Sequence, residues 1–181
     1  MHRLIAFLFL ALITTPSYAM MKPGVKAPDF TIKAAQAGKE FEFSLREALI
    51  KGPVVIYFYP KSFTSVCTVE AHEFAEAMDQ FTEMKASVIG ISGDSIDTQK
   101  EFSIKECRNK FPVGADESFN VIKAYDAAFD IPVVGRVFAD RISYVIGMDG
   151  KIVSSVKDSG AHKHIENALA VVRTLQSSDK Q

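Results

Sequence analysis

The chain has 181 residues, with 21 basic and 22 acidic side chains and a formal charge of −1. That balance leaves no basic face for a nucleic-acid backbone. The length suits one domain with a real hydrophobic core. Two cysteines, Cys67 and Cys107, are present.

Residues 1–19 read as a secretory signal: His2 and Arg3 at the start, an apolar run from Leu4 to Ile13, and a small, polar end with Ser17 and Ala19 where a signal peptidase cuts. The apolar run is half the roughly 20 residues a membrane span needs, so no stable membrane association is expected after cleavage. The expected mature domain is 20–181, periplasmic or secreted. An even cysteine number in an exported protein first suggests a structural disulfide.

Pro23–Phe30 reads as a loop leading to a short strand over Phe30–Lys33. Ala34–Glu40 is expected as a polar turn and Phe41–Phe43 as a second short strand. Ser44 is placed to cap a short helix over Leu45–Ile50, ended by Gly52-Pro53. Val54-Val-Ile-Tyr-Phe-Tyr59 is a buried strand by its β-branched and aromatic content, and Pro60 stops it. From Val66 the period becomes helical through Val69, Phe74, Met78 and Phe81. Cys67 thus stands in a first helical turn, where unpaired N–H groups and the helix dipole favour negative charge on sulfur. Thr64 is expected to cap this helix and to point its hydroxyl at the sulfur.

Ala86–Ser92 is the next buried strand, and strand–helix–strand implies a parallel crossover. Asp97–Lys110 reads as a helix with Phe102, Ile104 and Cys107 inward. Phe111–Val113 is extended, Asn120–Ala128 helical, and Ile131–Asp140, with Pro132 and Gly135, a loop. Arg141–Ile146 and Lys151–Val156 form a hairpin about Asp149-Gly150. His164–Gln176 closes the chain with Ile165, Leu169, Val172 and Leu175 on one stripe. This order gives an α/β three-layer sandwich with a mixed central sheet. His162 and His164 have ligand-like spacing but no acidic or cysteine cluster beside them, so no metal is expected. A Gly-rich phosphate loop is missing, so no nucleotide cofactor is expected.

Pro60-x-x-x-Thr64-x-x-Cys67, flanked by Tyr57-Phe-Tyr and Glu70, resembles the active-site motif of the peroxiredoxins, thiol-dependent peroxidases on a thioredoxin-like fold. Gly24-Val-Lys-Ala-Pro-Asp-Phe30 is similar to their N-terminus. The resemblance runs from about Pro23 to the final helix and implies an α/β/α sandwich around a mixed β-sheet. It implies Cys67 as the peroxidatic nucleophile, supported by Pro60, Thr64 and Arg141, the last a cation opening a later strand. Glu70 is a partner for Arg141 or a solvated helix residue. Relatives in the bacterioferritin-comigratory (PrxQ-like) branch often place a resolving cysteine five residues after the first. His72 occupies that position here, and Cys107 looks like the variant that carries the resolver later. The resemblance implies a peroxide substrate, hydrogen peroxide or an organic hydroperoxide, no cofactor, a thioredoxin-like or small-thiol reductant, and a monomer or weak dimer. The competing reading is a non-catalytic exported binding domain stapled by a Cys67–Cys107 disulfide.

Overall fold

The computed structural model describes residues 20–131 and 135–178, so the signal segment read at 1–19 lies outside the described residues. The elements are β1 (Thr31–Gln36), β2 (Lys39–Ser44), α1 (Leu45–Lys51), β3 (Val54–Phe58), α2 (Ser65–Glu83), β4 (Ser87–Ser92) and α3 (Ile96–Lys105). They continue as β5 (Val113–Ala115), α4 (Asn120–Ala124), β6 (Ala128–Ile131), β7 (Arg136–Ala139), β8 (Ile142–Ile146), β9 (Ile152–Lys157) and α5 (His162–Ser178). A seven-stranded sheet runs in the order β2-β1-β5-β4-β3-β8-β9. Its centre is parallel at β3/β4 and β4/β5, and β8 pairs antiparallel to β3.

Every residue of β3 is buried because the sheet is covered on both faces. Val54, Ile56 and Phe58 point into one core with Leu45 and Ala48 of α1 and Val121 and Ile122 of α4. Val55 and Tyr57 point into the other, with Phe74 of α2, Phe102 of α3, and Ile165 and Val172 of α5. This alternation is the period of two of a strand, and it produces the three layers expected from the order of elements. Both cysteines fall in the second core.

Several boundaries move. The first hairpin is longer than expected, because Ala37 and Gly38 both take positive φ and make a two-residue turn within the polar stretch. Val66 and Val69 are 39% and 49% exposed. The buried stripe of α2 instead passes through Cys67, Ala71, Phe74, Met78 and Phe81. The helix expected over Asp97–Lys110 ends at Lys105, and Cys107 lies in the turn that follows. The cause is local: Glu106 and Cys107 both donate their N–H to Phe102 O, and Arg108 and Asn109 adopt φ of 51° and 61°. Ile104 is half exposed, and Gln99, Phe102 and Ser103 form the buried face. The helix from Asn120 stops at Ala124. The stretch read as a loop, Ile131–Asp140, contains strand β7, which pairs antiparallel with β6 just before it, with Phe129 opposite Phe138. The β8/β9 hairpin, the Ser44 cap of α1 (Glu47 N to Ser44 Oγ, 3.4 Å) and the closing helix stand as expected.

Candidate active site

Cys67 is the third residue of α2, so the amide groups of the first turn beside it have no helical acceptor. Its side chain is 1% exposed. Arg141, immediately before β8, reaches across and donates from Nη2 to Cys67 Sγ at 3.1 Å. The other arm of the guanidinium, Nη1, donates to Glu70 Oε2. Glu70 follows Cys67 by three residues, so sulfur and carboxylate share one helix face and one arginine bridges them. Of the two roles open to Glu70, the structure selects the Arg141 partner: the side chain is fully buried.

This buried trio is electrostatically coupled. Burial pushes the Glu70 carboxyl up to about 8, with the Arg141 guanidinium opposing the shift. Burial also works against the charge on Arg141, but the Glu70 carboxylate and the Cys67 sulfur outweigh it and hold the guanidinium above its ordinary value. Glu70 Oε1 has no hydrogen-bond partner among the described residues. A permanent cation therefore faces the sulfur, and its counter-ion sits in a site that favours the neutral carboxyl.

Thr64 occupies the N-cap position with extended backbone, but its side chain makes no capping bond. The hydroxyl donates to Lys61 O at 3.0 Å rather than pointing to the sulfur. Pro60, Thr64 and Arg141 line one cavity of about 620 Å³, shared with Phe129, Ile131 and Phe138 from the β6/β7 hairpin. The loop before α2 is tightly braced. Ser62 N donates to Asp94 Oδ2 at 2.7 Å, and Tyr59 Oη donates to Gln99 Oε1 at 2.8 Å. Gln99 Nε2 donates to Ser92 Oγ and Gly114 O. Phe63, at φ 64°, packs edge-on against Phe102.

Behind Arg141, Ser143 Oγ bonds His164 Nδ1 at 2.8 Å, and His164 Nε2 reaches Asp158 O. Burial holds His164 below its ordinary value, and the nearby Arg141 charge adds to this. Sequence reasoning missed Gln99 and Asp94, and it weighed His164 only as a metal ligand. The partners that tie them to the site, Tyr59 for Gln99, Ser62 for Asp94 and Ser143 for His164, lie far away in the chain, and no local pattern marks a buried glutamine as a brace. His162 points elsewhere, toward Glu73 at 3.4 Å, so the two histidines do not converge.

Cys107 is fully buried among Tyr57, Phe102 and Phe111, and both cysteines are free thiols. Burial raises the Cys107 thiol well above its ordinary value, and the charge of Glu106 adds to this. The stapling disulfide of the binding-domain reading is not formed in this structure.

Residues 23–155 match the family model described as "AhpC/TSA family". The chain belongs to the AhpC/TSA family of peroxiredoxins. It is 32% identical to a chloroplastic peroxiredoxin Q of Sedum lineare, over 88% of this chain and 82% of that one. Similarity to the putative peroxiredoxin YkuU of Bacillus subtilis is 30% identity over 85% and 88%. Among solved structures, peroxidoxin BcpB of Mycobacterium tuberculosis superposes with a TM-score of 0.77 at 29% identity, covering 86% of this chain and 98% of that one. The fold is thus the thioredoxin-like fold of the peroxiredoxins, and the activity is that of a thiol-dependent peroxidase.

Proposed function

We propose that Cys67 is the peroxidatic residue, with Arg141, Thr64 and Pro60 as its supports. The bond from Arg141 Nη2 to Cys67 Sγ at 3.1 Å, made at a helix N-terminus, carries this reading. A Cys67 thiolate attacks one peroxide oxygen. The S–O bond forms as the O–O bond breaks, and the departing oxygen leaves as water or an alcohol after taking a proton. First-turn N–H groups and Arg141 are fixed donors for the charge that develops on oxygen. Thr64 Oγ is free to accept from the incoming hydroperoxide while its own O–H donates to Lys61 O. Pro60 walls the cavity beside them.

Cysteine sulfenic acid at Cys67 then meets the Cys107 thiol. The new S–S bond expels water, and an external thioredoxin-like protein or small thiol reduces the disulfide by exchange. The basic start, apolar run and Ser17-Tyr-Ala19 end support export, and hence a reductant outside the cytosol. Mass analysis of the protein from a periplasmic fraction tests the cut after Ala19. Sedimentation tests the monomer or weak dimer.

The deciding experiment mixes fully reduced protein with one equivalent of hydrogen peroxide and follows intact mass and free thiols. Rapid loss of both thiols without gain of oxygen is the expected result. No reaction within minutes overturns the assignment of Cys67. A second reading, in which Cys107 stays inert and a small thiol reduces the sulfenic acid directly, is favoured by the complete burial of Cys107. It predicts one added oxygen with Cys107 still free.

A further inference from the structure

His72, Glu76 and Asp79 follow one another by four and three residues, so they share one face of α2. Each pairs with the turn that carries Cys107. His72 Nε2 meets Glu106 Oε2 at 2.7 Å, Glu76 Oε1 meets Arg108 Nη1 at 3.1 Å, and Asp79 Oδ1 meets Lys110 Nζ at 3.1 Å. The partners alternate along the segment, at 106, 108 and 110, and Cys107 lies between the first two rungs. The first rung is the most buried, with side chains 34% and 20% exposed; the third is 49% and 82% exposed.

The segment so held has little regular structure of its own. Arg108 takes a left-handed backbone angle without being glycine, at a cost in free energy that the surroundings must offset, and Asn109, which tolerates the region better, follows it. Besides the ladder, Gln36 Nε2 touches Asn109 O and Lys110 O at 3.4 and 3.3 Å. Cys107 itself is fully buried.

We propose that this ladder, one hydrogen bond and two ion pairs, is a clasp whose opening sets the rate at which Cys107 leaves the core to meet oxidised Cys67. The inference rests on Cys107 being the resolving thiol. His72, Glu76 and Asp79 are then positioning residues. They touch neither sulfur, and they act by keeping the segment against the very helix that bears Cys67. A slow clasp leaves the sulfenic acid exposed longer to a second peroxide, so the ladder also tunes sensitivity to irreversible over-oxidation. The residue at position 72, where PrxQ-like relatives carry a resolving cysteine, here fastens the later one.

The two steps separate by rapid quenching of the wild-type protein into denaturant with excess alkylating reagent, which uncovers the buried Cys107 as it is trapped, followed by intact mass. Sulfenic acid with alkylated Cys107 and the closed disulfide have different masses. Half-exposed pairs weaken as the screening length shrinks, so raising potassium chloride from roughly 50 to 500 mM speeds disulfide closure and leaves Cys67 oxidation unchanged. Glu76→Gln and Asp79→Asn each speed closure by about two- to fivefold, the range an exposed pair supports. Exchanging the charges, Glu76→Arg with Arg108→Glu, restores the wild-type rate. Glu101→Gln, which removes a pair internal to α3, has no effect. Closure that is insensitive to salt and to the Glu76→Gln, Asp79→Asn double substitution overturns the clasp while leaving Cys107 as resolver. Wild-type protein that accumulates sulfenic acid and never closes the disulfide overturns the resolver and the clasp together.

Discussion

Replacing Arg141 by Met removes the cation from the site and keeps most of the buried stem. The lost interaction is one N–H···S bond of 3.1 Å to a sulfur that is 1% exposed. A hydrogen bond involving a charged group is worth about 1.5–3 kcal/mol. At about 1.4 kcal/mol per factor of ten, oxidation of Cys67 slows by about 10- to 150-fold if the bond acts fully in the transition state. Stability separates two possibilities. Breaking a buried ion pair ordinarily costs about 3–5 kcal/mol because one charge is stranded. Here the Glu70 carboxyl stands at about 8, so near pH 7 it holds a proton and no anion is stranded. The expected stability loss is therefore about 1–2 kcal/mol, one hydrogen bond's worth. Rapid-quench mass analysis gives the oxidation rate, and urea unfolding of the reduced protein gives the stability. A folded variant that reacts with peroxide at the wild-type rate refutes the role of Arg141. A stability loss near the stranded-charge figure refutes the neutral Glu70.

Glu70→Gln tests the same carboxyl by pH. The folded-state value is raised from 4.5 to about 8, so between those limits the unfolded chain has released a proton that the fold retains. Wild-type stability relative to Glu70→Gln therefore falls as pH rises through that window, by up to about 1.4 kcal/mol per unit, and levels off above it; parallel pH–stability curves for the two proteins count against this. His164 works in the opposite sense. Its folded value is lowered, so the unfolded state takes up a proton first and stability drops as pH falls below the ordinary histidine value, a slope that His164→Gln flattens in thermal melts. Gln99→Leu removes one hydrogen bond each from Tyr59 Oη and Ser92 Oγ, which keep Ser62 and Asp94 as partners, at about 0.5–1.5 kcal/mol per bond, and loosens the Pro60–Thr64 loop; unchanged unfolding midpoint and peroxidase rate rule out the brace. In the reduced protein at pH 8, iodoacetamide modifies Cys107 only as fast as the surrounding core opens, because burial keeps it a protonated thiol; labelling at the rate of a free thiol refutes its enclosure.

The layers, the central strand and the helix bearing Cys67 were legible because each rests on a local period or on punctuation by Pro60, Gly52 and Gly150. The hydrophobic stripe of α2 was misread at Val66 and Val69 because apolar character alone does not say which face is covered. Ala71 and the carboxylate of Glu70 fill the covered face instead. The end of α3 was missed for a similar reason. Nothing in Lys105–Lys110 breaks a helix by composition, and the two left-handed residues there accompany local capping bonds from Cys107 N to Phe102 O and Asn109 N to Ser103 O. The β6/β7 hairpin was hidden by Pro132 and Gly135, which read as loop signals. Arg141 was found only because a motif pointed to it. Its distance from Cys67 in sequence, 74 positions, leaves no local trace.

The position of Glu70 explains how a buried arginine can remain effective. An ionised carboxylate hydrogen-bonded to Arg141 would cancel much of the field that the guanidinium exerts on the sulfur. A carboxyl shifted toward its neutral form still accepts the Nη1 donor and fixes the plane of the guanidinium, but opposes less of its charge. The cost is a buried polar oxygen, Oε1, without a partner among the described residues. Enclosure by α2, β8 and the aromatic side of the sheet is what shifts the carboxyl, so the packing of Phe74 and Tyr57 and the electrostatics of Cys67 are linked through one residue. Loosening that packing, even without touching Cys67 or Arg141, lets water reach Glu70, ionises its carboxyl, and weakens the positive field at the sulfur.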